Sequence, residues 1–214
     1  MKIIAIIQAR MGSTRLPGKV MREVKGKPLI GYLLERVACA KELDGVIVAI
    51  PQNDIASPLA SYLRSLKVAY YAGAEENDVA ARFLAVLDTI ECDAFVRICG
   101  DSPLIDPGLI DNIVKCFRHG VEAHDGDFMS NVGLCGSHGQ FIECVTVAAY
   151  REGARHFTAE DREHAGMPWF YRRNPSLCVD TEADFQRFAR IIEQMTEDHI
   201  TYGVDDCLAL ARVN

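Results

Sequence analysis

Short apolar runs alternate with amphipathic stretches of helical period through the first half of the chain. Residues 2–7, KIIAII, have no polar position after Lys2, which predicts a strand buried on both faces. A loop containing Gly, Ser and Pro follows. Leu29, Leu33, Leu34 and Val37 then share one face of a helix predicted over 28–41. Apolar runs at 46–50, 68–71 and 94–98 predict three further strands, separated by helices over 55–66 and 78–90. Pro107 opens another helix, in keeping with proline's place in a first turn. This alternation predicts an α/β fold with a mainly parallel sheet. From about 125 to 175 the rhythm breaks. Within that stretch FIECVTV alternates as an antiparallel strand would, and 159–170 predicts a helix. Residues 176–179 return to strand character and 181–195 to helix. No repeat or linker interrupts the pattern, so the expectation is one domain over 1–214 with an irregular insert at about 125–175.

Bulk properties narrow the function. The 214 residues fit one domain with one sizeable core. A formal net charge of −7 speaks against broad nucleic-acid or anionic-membrane binding, which needs a basic face, but leaves room for a small basic pocket. The eight cysteines form no CxxC pair, and several sit in apolar runs such as VRIC, as expected of thiols in a reducing compartment. The opening apolar run IIAII is interrupted by Gln8 and Arg10, too early for a secretory signal. No stretch approaches the roughly 20 apolar residues of a membrane span. The expectation is a cytoplasmic protein that binds neither membrane nor nucleic acid.

The strongest chemical signal follows the first strand: Gln8-Ala9-Arg10-Met11-Gly12-Ser13-Thr14-Arg15-Leu16-Pro17-Gly18-Lys19. Open α/β sheets bind ligands at the carboxyl ends of their strands, so the loop is well placed. Gly12, Ser13 and Gly18 allow close backbone approach, and Arg10, Arg15 and Lys19 concentrate positive charge in an otherwise acidic chain, as a triphosphate requires. The loop is neither Walker A, since Val20 stands where the magnesium-binding Ser/Thr would be, nor GxGxxG. Asp101 and Asp180 each end a predicted strand. Two such carboxylates on one sheet can share a Mg²⁺, a hard ion that favours oxygen ligands. Asp180 before Thr181-Glu182 equally suits a helix N-cap. Arg82 lies on a predicted helix, where a solvent-facing arginine is the alternative to a ligand contact.

IIQARMGSTRLPGK resembles the signature of the cytidylyltransferases that activate acidic sugars. These are the CMP-sialic acid and CMP-3-deoxy-manno-octulosonate synthetases and, most closely, their spore-coat-polysaccharide-type relatives. GAEENDVAARF, RICGDSPLIDP, DREH and VDTEADF resemble further blocks of that family in the expected order, together covering nearly the whole chain. The resemblance implies a Rossmann-like, three-layer nucleotide-diphospho-sugar transferase fold, a homodimer, and transfer of CMP from CTP to a sugar-acid-like acceptor with release of pyrophosphate in surface polysaccharide biosynthesis. It further implies a nucleotide site of Ala9, Arg10, Gly12, Ser13, Arg15, Lys19, Arg82 and Gly100, with Mg²⁺ on Asp101 and Asp180. Lys19 would then stabilise the reacting phosphate, and Arg10 and Arg15 the outer phosphates.

Two departures affect the substrate. Cys99 and Ser102 flank Gly100-Asp101 where the sialate and octulosonate synthetases carry Gln and Glu. After Ser130-Asn131-Val132 the chain runs GLCGSHGQFIECV, a stretch that departs from the acidic pattern of the spore-coat-type relatives. Ser130, Asn131, Gln140, Glu143, Glu163 and His164 are candidate acceptor contacts. A nucleotide-sugar-dependent glycosyltransferase of related fold is a second reading, although no Asp-x-Asp motif occurs near Asp101. A catalytically degenerate nucleotide-binding scaffold is a third.

Overall fold

The first apolar run folds as strand β1 (Ile3–Gln8), in which Ile3, Ala5, Ile6 and Ile7 are fully buried. The structure, a computed structural model, describes residues 1–13, 15–123, 126–132, 139–173, 182–197 and 210. The loop after β1 closes in a 3₁₀ turn at Lys19–Met21. A short hairpin of β2 (Glu23–Val24) and β3 (Lys27–Pro28) then leads into helix α1 (Leu29–Val37). Strand β4 (Gly45–Ile50) is followed by a second 3₁₀ turn, Gln52–Asp54, and by α2 (Pro58–Ser65). The predicted helix over 55–66 thus starts late. The Ser57 hydroxyl accepts a hydrogen bond from the Ala60 amide, and Pro58 occupies the first turn, where its missing N–H costs nothing. After β5 (Tyr70–Ala72) comes α3 (Val79–Thr89), capped by Asp78, whose Oδ1 accepts from the Ala81 amide at 2.9 Å. Strand β6 (Ala94–Cys99) and α4 (Pro107–Glu122), capped by Asp106, complete the alternating half.

The expected antiparallel strand in the insert is β8 (Glu143–Thr146), which pairs with both β6 and β7 (Phe128–Ser130). The resulting six-stranded sheet has the order β5-β4-β1-β6-β8-β7, with β5, β4, β1 and β6 parallel. Three short helices follow: α5 (Val147–Ala154), α6 (Ala159–Glu163) and α7 (Met167–Arg173). The single helix predicted over 159–170 is therefore broken. Ala165 and Gly166 take left-handed conformations, with φ of 57° and 79°, and turn the chain between α6 and α7. A Cβ on residue 166 would lie 2.3 Å from the Phe157 ring, so the turn also needs glycine for space.

Helices cover both faces of the sheet. Ile3, Ala5 and Ile7 of β1, with Val96 and Ile98 of β6, belong to one buried cluster with Leu33 and Val37 of α1, Leu63 of α2 and Val114 and Phe117 of α4. On the opposite face Phe95 meets Phe83 of α3 and Tyr150 of α5 edge-on, at centroid distances of 5.6 and 4.9 Å. The chain divides into two compact units, Met1–Met167 and Pro168–Asn214. In the second, Trp169 packs edge-on against Phe170, and α8 (Glu182–Gln194) exposes Phe185, Phe188 and Ile192. The strand expected at 176–179 lies outside the described residues. No described helix is long and apolar enough to cross a membrane.

Candidate active site

The loop after β1 is anchored at its base and again at its far end. Ala9 donates its amide to the Ala49 carbonyl at 3.1 Å, and Met11 donates to Asp54 Oδ2 at 2.8 Å. Asp54 comes from the turn after β4 and is only 6% exposed, so this buried carboxylate is held by the loop that it orders. Gly18 donates to the Met11 carbonyl at 3.0 Å, which closes the loop and delivers Lys19 at the start of the 3₁₀ turn. The Lys19 ammonium meets the Asp101 carboxylate in an ion pair.

Asp101 reaches that position because Gly100 ends β6 against β1. The Gly100 amide donates to the Gln8 carbonyl at 2.8 Å. A Cβ on residue 100 would fall 2.7 Å from that same carbonyl oxygen and 2.9 Å from the Ala9 Cβ. Neither neighbour is the free end of a flexible side chain. Gly100→Ala is therefore expected to force the two strand ends apart, costing about 1–3 kcal/mol, as overpacking does. A lower denaturation midpoint together with weakened nucleotide binding would bear this out. An unchanged midpoint would mean that the strands can separate freely.

The two strand ends form a cleft of about 200 Å³. Lining it are Ala9, Arg10, Gly12, Ser13, Arg15 and Lys19 from the loop, Gly100 and Asp101 from the end of β6, and Arg82 from α3. The sequence-predicted nucleotide residues are thus gathered on one cavity at the carboxyl edge of the sheet. Arg10 is 3.3 Å from the Glu76 carboxylate and donates to the Asn77 side chain at 3.0 Å. Arg15 has no ion-pair partner among the described residues.

Arg82 does not face solvent. It is 1% exposed, and its Nη1 donates to the carbonyls of Glu75 and Glu76 at 2.6 and 3.0 Å. Its Nε is buried and has no hydrogen-bond partner among the described residues. Burial, and then the neighbouring charge of Arg10, hold its guanidinium below the usual arginine pKa. A buried, under-satisfied cation on the wall of a cleft is a place to receive an anion or a polar ligand.

Glu163 and His164 line the same cleft. They arrive there because Arg162, beside them, donates to Asp78 Oδ2 from Nε and Nη2 at 3.0 and 2.6 Å, tying α6 to the start of α3. A reciprocal cap between Thr158 and the fully buried Asp161 holds α6 itself.

The other four acceptor candidates lie elsewhere. Gln140 accepts from the Asp106 amide at 2.9 Å and donates to the Leu104 carbonyl at 2.8 Å, bracing the loop beyond Asp101. The buried Asn131 bridges the backbone of Gln140 and Ile142. The Ser130 hydroxyl accepts from the Val132 amide at 3.0 Å. Glu143 pairs with Arg97 at 2.5 Å, and the two side chains are 5% and 12% exposed. Asp180 lies outside the described residues, and among the described residues no cluster of three or more His, Cys, Asp or Glu side chains could hold a metal ion. Sequence reasoning missed Asp54, Glu76 and Asn77 as partners of the loop, and the side chains of Gln8 and Val79 on the cleft wall, which Cys99, singled out in the sequence as a departure, also lines. Burial pushes the Cys99 thiol above its ordinary pKa.

Comparison with known proteins identifies the family. The chain is 30% identical over 181 residues to the spore coat polysaccharide biosynthesis protein SpsF of Bacillus subtilis, covering 82% of this chain and 72% of that protein. It is 34% identical over 135 residues to the 8-amino-3,8-dideoxy-manno-octulosonate cytidylyltransferase of Shewanella frigidimarina, covering 63% of this chain and 54% of the relative, so it spans about half the length of that enzyme. Among solved structures, a cytidylyltransferase from Leptospira borgpetersenii superposes with a TM-score of 0.74 at 26% identity, covering 100% of this chain and 93% of that one. The family described as Cytidylyltransferase matches residues 4–199, and the chain belongs to it.

Proposed function

We propose that this chain transfers CMP from CTP to a sugar acid or a related acceptor, with release of pyrophosphate, in surface polysaccharide biosynthesis. The observation that carries the reading is the meeting of Arg10, Arg15 and Lys19 with Asp101 on one cleft. Family membership supplies the reaction class. An acceptor hydroxyl attacks the α-phosphorus, the bond to the bridging oxygen breaks, and pyrophosphate departs. Transfer of this kind depends on positioning and on neutralising charge. Lys19 stabilises the reacting phosphate, while Arg10 and Arg15 hold the β- and γ-phosphates. Glu163 and His164, on the same cleft, contact the acceptor.

Asp101 fits a divalent cation. Its side chain is 45% exposed and faces the cationic loop, and Mg²⁺ commonly takes one or two protein carboxylates with the remaining oxygens from substrate phosphates and water. Asp180 is the second carboxylate of this reading. When bound, Mg²⁺ would neutralise and orient the triphosphate. The reading takes the enzyme to be a cytoplasmic homodimer. The free thiols of Cys39, Cys92, Cys99, Cys116 and Cys144 suit a reducing compartment.

Pyrophosphate release from CTP and Mg²⁺ across a panel of sugar acids tests the proposal. Release that depends on both CTP and one acceptor is expected. A related glycosyltransferase would release none, and a scaffold would bind the nucleotide without turnover.

A further inference from the structure

Beside the cleft, three polar side chains form a chain across adjacent strands. Arg97 Nε meets the Gln8 side-chain amide oxygen at 3.1 Å, and Arg97 Nη1 meets Glu143 at 2.5 Å. The strand register explains the grouping. Ile6 pairs with Arg97 and Gln8 with Cys99, so Gln8, Arg97 and Cys99 project from one face of the sheet, and Glu143 faces Arg97 from β8. Gln8 lines the cleft, whereas Arg97 stands behind it.

The chemistry of arginine fixes how the Gln8 amide is turned. A guanidinium only donates, so the atom facing Arg97 must be the carbonyl oxygen, and the NH₂ group is directed away from it. Among the described residues that NH₂ group donates to no acceptor. The Gln8 backbone is equally fixed, because its carbonyl accepts the Gly100 amide at 2.8 Å. Of the same lining, Ala9, Val79, Cys99 and Gly100 bear no formal charge, while the cations are Arg10, Arg15 and Lys19 on the loop and Arg82 on α3. Were the phosphates held on that loop, the base or ribose would be left to the uncharged part of the lining.

We propose that Gln8 reads the nucleobase, and that the Arg97–Glu143 pair is the positioning device that keeps its NH₂ group turned toward the ligand. This rests on the CTP reading above. Cytosine N3 accepts a hydrogen bond, whereas uracil N3 carries a proton and donates. A donor that meets N3 and cannot rotate to become an acceptor therefore favours CTP over UTP, whereas one that meets O2, an acceptor in both bases, does not. The discrimination comes from Gln8 on β1, next in register to Cys99.

Calorimetric titration of CTP, UTP and dCTP, each with Mg²⁺, tests this without knowledge of the acceptor. The unmodified protein is expected to bind CTP at least about tenfold more tightly than UTP, as a site built around one hydrogen bond does. Gln8→Met, which removes the donor, is expected to bring that ratio near one. Gln8→Glu still accepts from Arg97 but presents an acceptor to the base, so the ratio is expected to reverse. Its added charge opposes both triphosphates alike and cancels in the ratio. Arg97→Lys is expected to lower the ratio in a protein that still melts cooperatively, a change that a purely structural role would not produce. A CTP preference that survives Gln8→Met overturns the inference and leaves the proposed function standing. So does a loss in Gln8→Met that disappears with dCTP, because it would place the contact on the ribose. Equal binding of CTP and UTP by the unmodified protein overturns both.

Discussion

Lys19→Ala is expected to lower turnover by about 10²–10³-fold, the usual cost of removing one preorganised charge-stabilising donor. Its melting temperature should stay within about 4 °C of the parent, because the pair that is lost is a weak source of stability. The structure gives the reason. Lys19 and Asp101 are 28% and 45% exposed, and ion pairs at such positions typically contribute about 0–1 kcal/mol to folding. Asp101→Asn should show the same separation of activity from stability. Steady-state pyrophosphate release paired with thermal melting makes the comparison. Near-normal turnover in Lys19→Ala would remove Lys19 from the reacting centre. An equal loss of activity and folding would make the ion pair structural.

Arg82→Leu is expected to fail in the opposite way, losing stability and nucleotide affinity together. The parent side chain is almost completely enclosed and satisfies two carbonyls in the turn before α3. Leucine leaves both carbonyls without their donor and removes a cation that sits among Asp78, Glu76 and Asp54. A hydrogen bond from a charged donor is worth about 1.5–3 kcal/mol, and water can partly replace it at the exposed Glu75 and half-buried Glu76, so a loss on the order of 2–4 kcal/mol is expected. For a chain of this size that lowers the melting temperature by roughly 4–16 °C. Arg82→Lys keeps the charge but cannot reproduce the arginine fork, so it should recover only part of both losses. An Arg82→Leu protein that melts like the parent would show that the turn at Glu75–Glu76 stands without this side chain.

The burial of Arg82 was legible in the sequence. Val79, Phe83 and Val86 form a helical stripe, and residue 82 stands three positions after Val79 and four before Val86, inside the stripe rather than opposite it. The alternating half of the fold was legible for a similar reason. Runs such as IIAII and VIVAI leave a strand no polar face to present to water. The break between α6 and α7 was signalled by Gly166 and Pro168, but an apolar period that carries through them obscured it. The partners of the loop were harder to see. Asp54 reads as an ordinary turn residue in PQND, and only the approach of β1 to β4 brings the Met11 amide to it. Glu143 could be read as acidic near an acceptor pocket, yet the register of β8 on β6 sets it against Arg97. Local propensity reaches neither pairing, because each is created by strands far apart in sequence.

The cationic loop leaves the sheet from β1, whose neighbours on both sides are strands and whose faces are both covered by helices. Segments in such positions are among the last to exchange their amide protons, since releasing them means dismantling the whole fold. The loop that carries Arg10, Arg15 and Lys19 is therefore rooted in a segment expected to open only with the whole fold. Fraying at the periphery of the site would leave that root in place.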